Sequence, residues 1–153
     1  MLVRVAEESF DKGMEAMEKG HRDEAMAFFE AAIALEKRFG SGSPQPRYLS
    51  HYGMCLGLLG RRKYEGVRFC REAVAMEGYN PDLLWNLGRV LLAADRRGEA
   101  YAALTKGLRL QRDHRGIILE LKTMGVRRKP FMRLLGRANA LNVFVGRLRN
   151  SST

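Results

Sequence analysis

The chain has 153 residues, 46% of them apolar and 29% charged, a composition that suits one folded domain with room for a core. The opening stretch MLVRVAEESFDKG turns acidic within eight residues, so no secretory signal is expected; no run approaches the roughly 18 consecutive apolar residues of a membrane-spanning helix. The net charge of +10 is uneven: residues 1–104 hold 15 Lys/Arg and 15 Asp/Glu, whereas residues 105–153 hold 12 Lys/Arg against only Asp113 and Glu120.

A repeat organises the chain in order. Gly13 is followed by Gly20, Ala25, Phe29, Ala32 and Leu35 at offsets of 7, 12, 16, 19 and 22; Gly88 is followed by Asp95, Ala100, Leu104, Gly107 and Leu110 at the same offsets. A middle block has Gly53 and Gly60, then Gly66, Cys70, Ala73 and Met76, displaced by one residue after Gly60, as one extra turn residue near 61–63 would produce. A fixed period of this kind marks a repeat architecture.

Each block reads as two helices and a short turn. In the first, Phe10, Met14 and Met17 fall three and four apart, as do Met26, Phe29 and Ile33. The second pair is expected over about 47–59 and 64–77, the third over about 82–94 and 97–110. Asn80-Pro81-Asp82 is a helix start, because proline tolerates the first turn and a carboxylate favours the positive end. FGSGSPQPRY between the first two pairs stops the helix after Arg38 and reads as an ordered surface loop, with a ligand-contacting loop as the sharper alternative. Asp113 is expected to cap a seventh helix over about 114–124 that covers the last repeat. Beyond Gly125, FMRLL at 131–135 and ALNVFVGRLR at 140–149 read as a helical turn and a short amphipathic helix.

Chemistry is not expected. His21 and His114 read as turn residues and His51 as a lone helical histidine, each an exposed or capping imidazole. Glu24, Glu30 and Glu36 read as a charged helical face. GSGSP lacks the lysine and following helix of a phosphate loop. Cys55 and Cys70 match no metal or CxxC spacing and read as reduced, buried small hydrophobes of a cytoplasmic protein, a disulfide between adjacent helices being the alternative. No catalytic residue, metal ligand or cofactor is therefore expected.

These blocks resemble the tetratricopeptide-repeat (TPR) family over residues 6–112. The third carries the resemblance through Trp85, Leu87, Gly88, Leu91, Ala100, Leu104 and Leu110, departing from it at Asp95 and Gly107. The first carries it through Gly13, Ala16, Gly20, Ala25, Phe29 and Ala32; the middle block departs in its extra residue and at Gly66. The resemblance implies an all-α, TPR-like helical-hairpin solenoid in one domain over 1–153, with three repeats (about 6–38, 47–78 and 81–112), C-terminal capping helices including 114–124, and a basic extension over 126–149. It also implies a groove lined by the first helix of each pair: Phe10, Met14 and Met17, then Ser50, Met54 and Leu58, then Trp85, Arg89 and Leu92. The subclass that holds a peptide's terminal carboxylate has basic and amide groups where this chain has Phe10, Met14, His51, Asp82 and Asn86, so that activity is not expected.

The expected function is a protein-interaction adaptor or chaperone-like module with an apolar groove suited to a peptide or amphipathic helix. The alternative is an accessory protein that binds nucleic acid or an anionic membrane surface through a basic face made of Arg112, Arg115, Arg127, Arg128, Lys129, Arg133, Arg137, Arg147 and Arg149. A homo-oligomer is a further partner option.

Overall fold

A computed structural model describes residues 2–40, 42–60 and 62–125. Among these residues seven helices follow one another: α1 Leu2–Glu18, α2 Arg22–Phe39, α3 Pro46–Leu58, α4 Lys63–Met76, α5 Pro81–Ala93, α6 Arg97–Leu110 and α7 Arg115–Thr123. The described residues contain no strand, and the architecture is an all-α helical-repeat solenoid. By packing, the chain divides into two compact units, residues 1–121 and 122–153. The expected helices at 131–135 and 140–149 lie outside the described residues.

Helices α1 and α2, α3 and α4, and α5 and α6 form three hairpins, and neighbouring hairpins pack through α2 on α3 and through α5 on both α3 and α4. The repeated glycines account for the hairpin seams. A Cβ added at Gly13 would lie 2.5 Å from the Phe29 ring, and one at Gly88 would lie 2.5 Å from Leu104. Both partners sit at offset 16 in their blocks and are fully buried. In the middle block, Gly66 stands where the family uses alanine; a Cβ there would lie 2.5 Å from the Gly53 carbonyl oxygen and 2.8 Å from the Gly57 nitrogen. Helices α3 and α4 thus approach backbone to backbone. Gly107, the other departure, makes room for the Ile117 side chain of α7, which would lie 2.6 Å from an added Cβ.

The turn position at offset 7 is equally consistent: Gly20, Gly60 and Asp95 have φ of 79°, 79° and 58°. All three are left-handed, a conformation that closes a helix C-terminus. Pro46 and Pro81 occupy first-turn positions of α3 and α5, and the Asn80 side chain accepts the Asp82 N–H at 3.0 Å as the cap of α5. In the loop between hairpins one and two, Pro44 is buried.

Candidate functional site

The first helices of the hairpins are joined to one another by polar contacts. Tyr48 of α3 donates its hydroxyl to Glu7 Oε2 of α1 at 2.7 Å, and Arg47 pairs with the same carboxylate. Asn86 Nδ2 of α5 donates to Ser50 Oγ of α3 at 3.1 Å, in the interior. Arg89 Nε of α5 lies 3.4 Å from Glu120 Oε1 of α7. This row of α1, α3, α5 and α7 carries every residue that the resemblance assigns to a groove.

Three of those residues are spent on the chain's own packing. Phe10 is 6% exposed and lies against the rings of Phe29, Tyr48 and His51, with centroids 5.0–5.4 Å away. Ser50 is 0% exposed, holding Asn86 through its hydroxyl and accepting the Cys70 thiol on its carbonyl at 3.4 Å. Met54 is 2% exposed, its sulfur accepting Arg89 Nη1 at 2.9 Å. These side chains turn inward because the next inner helix covers them: α3 lies over Phe10, and α5 lies over Ser50 and Met54. Met14, Met17, Leu58, Trp85, Arg89 and Leu92 are the six that stay partly accessible. Met17 also accepts the Cys55 thiol at 3.5 Å.

Trp85 and Arg89 form a compact group. The Arg89 guanidinium stands 5.1 Å from the Trp85 ring centroid, close enough for a cation–π contact. The Trp85 ring meets His114 edge to face at 5.3 Å, and an added Cβ at Gly116 would lie 2.5 Å from it. Its Nε1 is buried and has no hydrogen-bond partner among the described residues. Burial holds the Arg89 guanidinium below the usual arginine range; the Glu120 charge opposes that shift and the Arg22 charge adds to it. The charges of Arg22, at the start of α2, and of Arg89 oppose the burial that raises the Cys55 thiol. Sequence reasoning omitted Arg22 and Glu120, since each reads as an ordinary surface charge.

Of the three histidines, His21 and His114 keep the exposed or capping role expected of them and His51 does not. His21 is exposed, with Nδ1 3.3 Å from Glu24 Oε2. His51 donates Nδ1–H to the Arg47 carbonyl at 2.8 Å between Phe10 and Phe29, and burial pushes its pKa down. His114 is buried at 8% exposure. Its Nδ1 accepts the Ile117 N–H at 3.1 Å and its Nε2 lies 2.9 Å from Asp82 Oδ1. His114 therefore caps α7, the role that the sequence reading gives to Asp113, because it alone reaches both the third N–H of α7 and the start of α5. Glu36 is a second correction: it is 6% exposed, not part of a solvated face, and its charge acts on buried Tyr48.

Arg112 and Arg115 are exposed. Arg115 borders an open pocket of about 420 Å³ that also has Asp82, Asp113 and His114 in its walls. Arg127, Arg128, Lys129, Arg133, Arg137, Arg147 and Arg149 lie outside the described residues. Among the described residues, no three or more His, Cys, Asp or Glu stand together in a metal-holding group, and no helix is long and apolar enough to cross a membrane.

Comparison with known proteins follows from this geometry. Residues 9–39, most of the first hairpin, match the family model described as tetratricopeptide repeat. Among solved structures, the chain is similar to an Arabidopsis OM64 TPR domain, at a TM-score of 0.66 and 18% identity over 81% of this chain and 97% of that one. At that identity the likeness is one of fold. No curated protein matches the sequence.

Proposed function

We propose, from the premise that this chain is a tetratricopeptide-repeat protein, that its protein-interaction role is that of an adaptor or chaperone-like module holding an apolar partner segment along α1, α3 and α5. It binds and does no chemistry of its own. The observation that carries this reading is the set of half-buried apolar side chains Met14, Met17, Leu58, Trp85 and Leu92, contributed by all three hairpins. Fold alone would not assign a function; a row of partly desolvated, flexible apolar side chains is what an amphipathic helix or extended peptide docks against. In this reading the protein works in the cytoplasm, where Cys55 and Cys70 stay reduced.

Site-specific photo-crosslinking tests it. A crosslinking residue at Leu58 or Leu92 is expected to capture a defined protein in cells, and one at exposed Gly98 is not. Truncating Trp85 should weaken that complex by more than about 1 kcal/mol if it is an anchor. Capture from Gly98 alone would remove the groove from the account. The competing reading, nucleic acid or an anionic membrane bound by the basic C-terminal third, is favoured by the 12-to-2 charge imbalance. It requires that all capture be lost on nuclease treatment or on removal of anionic lipid. Mass measurement in solution tests self-association.

A further inference from the structure

We propose that the partner segment carries an acidic side chain, and that Arg89 receives it between the Met17–Met54 strip and the Trp85 ring. The inference rests on the groove reading and deepens it by naming the chemistry of the partner.

The physical case begins with Arg89. A guanidinium has five N–H donors in a fixed planar fork and binds carboxylates best in pairs of parallel hydrogen bonds. Here its side chain is only 21% exposed. The contacts it makes include a thioether, Met54 Sδ at 2.9 Å, and an aromatic face, Trp85 at 5.1 Å. A thioether is a weak acceptor. The carboxylate facing it, on Glu120, approaches Nε at 3.4 Å, beyond the 2.7–2.9 Å of a well-made charged hydrogen bond. A largely desolvated cation is thus held by weak acceptors and one long ion pair, and burying a charge without strong partners is costly.

A carboxylate delivered to the Arg89 guanidinium would supply the paired acceptors that it lacks among the described residues. The surroundings are apolar: Met17, Met54, Cys55 and Trp85. The fitting partner is therefore an apolar segment with one Asp or Glu among its hydrophobic anchors. A terminal carboxylate is the poorer fit, because the inner helices place Asp82 and Asn86 at the start of α5, and Asp82 repels it.

The test uses the full chain and peptides selected on it from a random 12-residue display library. Trp85 is the one tryptophan of the sequence, so its emission reports engagement beside Arg89. Selected peptides should carry an acidic residue within an apolar pattern. Replacing that residue by its amide should weaken binding by about tenfold or more, as loss of a charged hydrogen bond implies. Amidating the peptide's C-terminus should change nothing. Arg89→Gln should shrink the acid-to-amide ratio and Arg89→Lys, which keeps the positive charge but not the planar fork, should shrink it less, while Arg112→Gln leaves it intact; Arg89→Lys keeps the test informative if Arg89→Gln disturbs α7.

Peptides that shift Trp85 emission but bind equally in acidic and amide forms would overturn the inference and leave the groove standing. Loss of binding on C-terminal amidation would also overturn it. If no peptide binds, or binding leaves Trp85 unmoved, the groove reading falls and takes the inference with it.

Discussion

His114 accepts the Ile117 backbone N–H on Nδ1 at 3.1 Å, which leaves the ring proton on Nε2, 2.9 Å from Asp82 Oδ1. One imidazole thereby caps α7 and fastens it to the first turn of α5. An uncapped helix start leaves N–H groups without partners, and Ile117, whose N–H His114 accepts, is buried. His114→Ala is expected to cost about 1–2 kcal/mol and to lower protection of the α7 amides in hydrogen exchange before those of α3. Nitrogen chemical shifts should report the Nε2–H tautomer. An Nδ1–H tautomer in solution would contradict the cap.

Asp95 is the one non-glycine residue of positive φ among the described residues, at the turn position where the other two hairpins use glycine. Asp95→Gly is expected to stabilise the fold by about 0.5–1 kcal/mol, since the left-handed conformation costs a side chain more than it costs glycine. Urea unfolding should show a higher midpoint at unchanged slope. Asp95→Val should move the midpoint the other way.

Two glycines predict opposite outcomes for the same change. Gly66→Ala drives a methyl into the backbone of α3, 2.5 Å from the Gly53 oxygen, where no rotamer can relieve it; a loss of about 1–3 kcal/mol follows. Gly98, in α6, has nothing within 4 Å of an added Cβ. Gly98→Ala should be neutral or stabilise by up to about 1 kcal/mol. Thermal unfolding of the pair tests the seam directly.

Stability should fall on both sides of neutrality. Burial lowers the pKa of His51 from the ordinary 6.5; the unfolded chain then binds the extra proton first, so stability is lost as pH drops below about 6.5. Burial pushes the Cys55 thiol from 9.0 up to about 11, and raises Cys70, Tyr48 and Tyr52 as well. For these groups the unfolded chain releases protons first, so stability is lost as pH climbs from about 9 towards 11. Urea midpoints at pH 5, 7.5 and 10 should trace this dome. Both thiols should resist alkylation at pH 8 until the protein unfolds.

The repeat was legible because its determinants are local and periodic. Gly13, Gly53 and Gly88 announce close helix contacts through residue type alone, and Asn80-Pro81 announces a helix start by fixed backbone chemistry. The departures at Gly66, Asp95 and Gly107 were visible as departures but carried no explanation. Each answers to an atom far away in sequence or to a backbone angle: the α3 backbone, a left-handed turn, the Ile117 methyl.

The candidate site was less legible for the same reason. Periodicity puts Phe10, Met14 and Met17 on one stripe, yet the stripe does not say which members the next helix will cover. Tyr48 and His51 cover Phe10, and Arg89 reaches Met54, so burial is decided between hairpins. The sequence by itself determined helical hairpins, their turns and the small-residue seams, since these follow from spacing along one chain. Only the tertiary structure decided that Phe10, Ser50 and Met54 are core, that His114 rather than Asp113 caps α7, and that Arg89 stands desolvated beside Trp85. Packing between distant segments sets those environments, and no pattern of neighbours along the chain encodes it.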